Sequence, residues 1–110
     1  MLNNETQLDQ MFHALADQNR RALIERLLAG PASVSDLAAP MAISLPAVHQ
    51  HLAVLEGAGL ITSDKQGRVR TCTLDTAALT QAEVWISERR KLWESRLDAL
   101  GKFLKTKEKE

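Results

Sequence analysis

Ser44 and Pro46 open one segment of this chain, and Gly57 and Gly59 close it. A serine hydroxyl accepts a hydrogen bond from an N–H left unpaired at a helix start, and a proline in the first turn loses nothing by lacking its own. Glycines at the far end supply the backbone conformations of a sharp exit. The stretch SLPAVHQHLAVLEGAGLI therefore reads as one capped helix. LITSDKQGRVRTCTL comes next, with Ile, Val and Thr arranged around a polar turn at Lys65-Gln66-Gly67, which reads as a β-hairpin. A capped helix running straight into a hairpin is what the rest of the chain must accommodate.

The flanking elements follow from spacing and punctuation. Leu8, Met11, Phe12 and Leu15 recur at helical intervals within residues 5–16. Asp17 can cap a second helix running to Leu28 or Ala29, which Gly30-Pro31 stops. Ser33 or Ser35 caps a short helix through Ala39, and Pro40 falls where it should end. A long helix from Thr76 to Leu104 closes the chain, so the order is helix, helix, short helix, helix, hairpin, long helix. The predicted fold is mainly α (α+β), one domain over residues 1–110. With 110 residues, 45% hydrophobic and 25% charged, it belongs with soluble globular proteins. No apolar run spans a bilayer and no secretory leader is visible. The lone Cys72 excludes a disulfide or a thiolate cluster within one chain, and a reducing cytoplasm is the expected compartment.

His49 and His51 raise the question of metal or base chemistry. Projected at about 100° per residue, they diverge by roughly 160°, too far apart to share an ion. Leu45, Val48, Leu52 and Leu55 fall on one arc, the expected buried face. Pro46, Gln50 and Ala53 lie opposite, flanked by Ala47 and His49, with His51 at the border. No Asp or Glu occurs between Asp36 and Glu56, nor between Asp64 and Asp75, although the net charge is zero. A face small at its start, polar in its middle and free of acid suits the DNA major groove. Residues 33–58 then form a helix-turn-helix, and residues 60–74 a two-stranded wing. Arg68 and Arg70 would share a strand face of that wing, reaching phosphate or minor groove. Ser44, Pro46, Ala47, His49, Gln50, His51, Arg68 and Arg70 are the candidate DNA contacts, with His51 either a brace or a backbone contact. No nucleophile–base constellation, paired carboxylate or phosphate-binding glycine loop is visible, so an enzyme is not expected.

The closing helix carries an apolar arc of about 140° that includes Trp85, Ile86, Trp93, Leu97 and Leu100. So wide and aromatic a stripe exceeds what one small core needs. Pairing with a second copy, together with Leu8 and Phe12 of the first helix, is the expected use, giving dimerisation helices at 5–16 and 76–104. Arg89 and Arg96 intrude on the arc and need partners there, or must reach its rim. A ligand pocket between Trp85 and Trp93 is the alternative.

Taken together, FHALADQNRRALIERLLAGPASVSDLA, SLPAVHQHLAVLEGAGLI and KQGRVRTCTL resemble the ArsR (arsenic-repressor-like) family of winged helix-turn-helix regulators. ISERRKLWESRLDALGKFL is similar to the last helix of a metal-independent branch. The resemblance covers residues 10–104 and implies a homodimer that binds an inverted repeat of double-stranded DNA and represses. It also implies metal ligands at the positions of Ser33 and Ser35, where sensing relatives carry cysteines, and histidines on the last helix, where this chain has none. No metal or other cofactor is therefore expected, because hydroxyls are poor ligands for soft metals. Relatives often carry Ser at position 49, Lys or Arg at 50 and a basic residue at 53; here stand His49, Gln50 and Ala53. A winged-helix protein-interaction module with little DNA affinity is the alternative.

Overall fold

The computed structural model describes residues 4–109. Helix α1 (Asn4–Leu15) presses Met11 and Ala14 into the core, with Leu8 and Leu15 packed against it. Asp17 then leaves helical geometry, and its carboxylate accepts the backbone N–H of Arg20 at 3.1 Å. That hydrogen bond holds the Asp17 carboxyl below its ordinary value; burial opposes the shift, while the charges of His51 and Arg20 assist it. Helix α2 (Gln18–Leu27) buries Leu23, Ile24 and Leu27.

Ser33, not Ser35, caps the short helix α3 (Val34–Ala38), its Oγ accepting the N–H of Asp36 at 3.1 Å. Helix α4 (Leu45–Gly57) is capped by Ser44 with Pro46 in the first turn. Its exit is a Schellman turn: Leu60 N–H bonds to Leu55 O and Gly59 N–H to Glu56 O, both at 3.0 Å. Of the two glycines only Gly59 has positive φ, at +78°, while Gly57 ends as helix.

Strands β2 (Ile61–Gln66) and β3 (Val69–Leu74) form the hairpin in antiparallel register. The expected turn at 65–67 is displaced: Gln66 pairs with Val69, which leaves Gly67-Arg68 as the two-residue connection. Gly67 takes φ +63° at the first central position, the placement of a type II′ turn. The two-stranded wing gains a third strand, β1 (Ala32–Ser33), which pairs with β3 through Ala32–Cys72 and Ser33–Thr71. A two-residue strand has no periodicity to read, which is why the sequence pattern omits it.

Helix α5 (Thr76–Lys109) starts where expected, with Asp75 Oδ1 accepting from Ala77 N–H at 3.0 Å, and runs five residues past Leu104. Its 34 residues make a rod of about 51 Å. The radius of gyration is 20.0 Å, against roughly 13 Å for a compact chain of this length, because most of that rod leaves the body. Among the described residues of α5 only Ala78 and Ala82 are buried, with Leu79 packed beside them. Leu45 is a correction to the expected core arc: at the first turn of α4 it is 52% exposed and lines an open groove with residues of α3 and β3.

Candidate nucleic-acid interface

The first half of α4 exposes most of the residues expected to face DNA. Ser44, Pro46, His49 and Gln50 are exposed and Ala47 half-buried, while Val48, Leu52 and Leu55 anchor the opposite face. Ala53 is also exposed, and Glu56 in the last turn ends the acid-free stretch. This leaves a polar, uncharged surface near the N-terminus of α4, where backbone N–H groups favour anions.

His51 faces the other way. Its Nδ1 lies 3.3 Å from a terminal nitrogen of Arg20 and 3.9 Å from Asp17 Oδ1. A guanidinium only donates, so this contact is a hydrogen bond in the tautomer whose Nδ1 accepts. Arg20 also donates from Nε to Ala14 O at 2.7 Å and from its other terminal nitrogen to His13 O at 3.1 Å. One side chain thereby ties the end of α1, the start of α2 and the middle of α4. Sequence spacing could not find this cluster, because its members are 31 residues apart.

The wing lies beside α4. Arg70 on β3 donates to Ser63 Oγ at 2.9 Å, and Ser63 donates to Glu56 Oε1 at 3.1 Å, linking wing to helix. Arg68 is in the turn, so it does not share a strand face with Arg70 as the period of two had predicted. Two shallow grooves flank this junction. One, of about 240 Å³, is lined by residues including His49, Ala53, Glu56, Ser63 and Arg70. The other, of about 330 Å³, is lined by Leu45, His49, Arg68, Val69 and Arg70 among others. His49 and Arg70 belong to both, which places the polar residue of the helix next to the cation of the wing.

Cys72 sits under the first groove and is buried. Burial pushes its thiol up, the Glu56 carboxylate pushes the same way, and Arg70 opposes them. The thiolate that would react is thus disfavoured. Native protein is expected to resist alkylation at pH 8 while the unfolded chain reacts at the rate of a free thiol. Rapid native labelling in a timed iodoacetamide assay would refute this.

On α5 the residues marked for pairing are uncovered. Trp85 is 39% exposed, Ile86 44%, Trp93 61%, Leu97 48% and Leu100 52%. Phe12 of α1 meets Trp85 edge-on at 5.8 Å between centroids, and Leu8 lines the adjoining groove, so the first and last helices present one continuous face. Arg89 finds its partners on its own helix: the guanidinium lies 4.4 Å from the Trp85 ring centroid and 3.2 Å from Glu88 Oε2. Arg96 is exposed on the same side. Among the described residues, no three His, Cys, Asp or Glu side chains gather as a metal site, and no helix is long and apolar enough to cross a membrane.

Comparison with known proteins bears on this arrangement. A helix-turn-helix domain family matches residues 15–64, from the end of α1 into β2. A crystal structure described as an ArsR family transcriptional regulator superposes with a TM-score of 0.80 at 46% identity, covering 86% of this chain and 98% of that one. The chain belongs to the ArsR family of transcriptional regulators. Among its relatives, the HTH-type transcriptional regulator Rv2034 of Mycobacterium tuberculosis is 45% identical over 71 residues. That match spans 64% of this chain and 66% of the relative, just under two thirds of its length. The transcriptional repressor SdpR of Bacillus subtilis is 28% identical over 72% of this chain and 88% of its own. The winged helix-turn-helix expected from element order is thus the family fold, with the extra strand β1 completing its sheet.

Proposed function

We propose that this ArsR-family chain is a homodimeric, sequence-specific DNA-binding repressor that acts on an inverted-repeat operator in the cytoplasm. The observation that carries this reading is the exposed, acid-free first half of α4 standing beside a cationic wing. Ser44, Pro46 and Ala47 let the helix approach closely, His49 and Gln50 address base edges, and Arg68 and Arg70 meet the backbone. Gln50 can pair bidentately with adenine, and a neutral His49 can donate or accept. His51 acts as the brace between α4 and Arg20 more than as a backbone contact. The homodimer forms through Leu8, Phe12, Trp85, Ile86, Trp93, Leu97 and Leu100, with Arg89 and Arg96 at its rim. Repression, as opposed to activation, follows the relative from Bacillus subtilis. Regulation without bound metal fits Ser33, whose hydroxyl is engaged as a helix cap.

Fluorescence anisotropy on duplex DNA from upstream of the chain's own gene, at two salt concentrations, is expected to show tight binding that weakens with salt. The double substitution His49→Ser, Gln50→Lys should steepen that salt dependence and change the preferred bases. An unchanged base preference would sink the role given to these two side chains. A second reading, a winged-helix module for protein partners, is favoured by Ala53 and Gln50 at positions often basic in relatives, and by the zero net charge. Absence of salt-sensitive, sequence-selective binding would select it.

A further inference from the structure

We infer that Lys65 and Arg70 together form a two-cation grip on the DNA backbone, and that Glu56, acting through Ser63, sets the direction of Arg70. This rests on the DNA-binding reading above. The hairpin register places Lys65 opposite Arg70 and Ser63 opposite Cys72. Residues directly opposite on an antiparallel pair point to the same face, and residues two apart on one strand do too. Ser63, Lys65, Arg70 and Cys72 therefore share one face of the wing. Cys72 is 1% exposed, so this face turns toward α4 at its base. Toward the tip it opens beside His49, and there Lys65 and Arg70 stand side by side.

Like charges directly opposite destabilise a strand pair, so an uncompensated Lys–Arg pair is an unusual thing to build. Arg70 is partly compensated, since its guanidinium rests on Ser63 Oγ and that hydroxyl is oriented by the Glu56 carboxylate. The hydroxyl stands between acid and cation, which fixes the guanidinium without a direct ion pair. Lys65 has no such counterpart. The ion pairs among the described residues are His51–Asp17 and Arg89–Glu88, and Lys65 belongs to neither. Two cations on one face, one aimed and one uncompensated, beside the exposed surface of α4, make a place for a phosphate. Arg68 lies in the turn and outside the strand ladder, so its contact with the backbone is separate from this pair.

The test uses the full chain, a duplex that the wild type binds, and anisotropy titrations across salt. Lys65→Ala is expected to weaken binding equally for all sequences and to lower the slope of log affinity against log salt by about one. Arg70→Ala should do the same. Ser63→Ala keeps both cations, so the slope should hold while affinity falls about three- to tenfold, the scale of one net hydrogen bond. Ser63→Thr keeps the hydroxyl and should restore affinity. Side-chain relaxation at Arg70 Nε should report a freer guanidinium in Ser63→Ala and not in Ser63→Thr. An unchanged slope for Lys65→Ala would overturn the grip, and wild-type affinity for Ser63→Ala would overturn the positioning. A wild type that binds no duplex at any salt would overturn the proposed function itself, and this inference with it.

Discussion

In the homodimer proposed above, replacing Trp93 and Leu100 together with aspartate is expected to leave a folded monomer. Ile86, Trp93 and Leu100 repeat every seven residues on α5 and lie within about 40° of one another around its axis. Ala78, Ala82 and Leu79 precede them on the same side and pack on the core, so one face changes from buried to bare along a single helix. Leu92, Leu97, Phe103 and Leu104, all about half exposed, widen that bare face. Soluble monomers rarely leave so large a contiguous apolar patch in water. In a two-fold dimer each substitution counts twice. Four buried side chains are lost, and at roughly 1.5 kcal/mol each the interface weakens by about 6 kcal/mol, some four decades in dissociation constant. Sedimentation equilibrium at micromolar concentration should find monomer. Neither side chain belongs to the core, so far-ultraviolet circular dichroism should retain the helical signal of the body. Operator affinity should collapse with the dimer, because two half-sites can no longer be held at once. A variant that remains dimeric would refute this face as the interface.

Much of this organisation is written in local chemistry. Caps at Asp17, Ser33 and Ser44, the proline in the first turn of α4 and the exit at Gly59 act within a few residues, so spacing alone reveals them. The stripe on α5 is legible for the same reason, since helical periodicity depends on one element. What escapes depends on two elements meeting. Leu45 reads as core because it shares an arc with Val48, yet whether a layer faces the first turn is decided by the tertiary arrangement. Placing the turn at Gly67-Arg68 in place of 65–67 takes Arg68 out of the ladder and makes Lys65 the partner of Arg70. The signal was available, since a glycine at the first central position of a two-residue turn sets the register of the whole hairpin. Arg20 and His51 carry no such local mark.

Arg20→Ala is expected to cause the largest loss of stability of any single polar substitution in the body of the domain. The side chain is part-buried, and its fork meets two carbonyls at the end of α1 and the imidazole of His51. Ala14 O and His13 O belong to the last turn of α1, and of the two His13 O also accepts the N–H of Ala16 at 3.1 Å. Truncation leaves Ala14 O and His51 Nδ1 without this donor and His13 O with the N–H of Ala16 alone, and hydrogen bonds to a charged group contribute about 1.5–3 kcal/mol each. Partial access to water reduces the sum, giving an expected loss of about 3 kcal/mol and a fall in Tm of more than about 10 °C. Arg20→Lys should recover only part of this, because an ammonium cannot hold the fork geometry that spans α1 and α4. Thermal unfolding followed by circular dichroism measures both variants; a loss below 1 kcal/mol for Arg20→Ala would show the cluster to be dispensable. The position of the cluster gives the loss a functional side. Arg20 fastens α1, which carries Phe12 against Trp85, to α4, which carries His49 and Gln50. Loosening it should therefore blur the angle between the proposed pairing face and the proposed reading helix, so operator affinity should fall even at temperatures where Arg20→Ala remains folded.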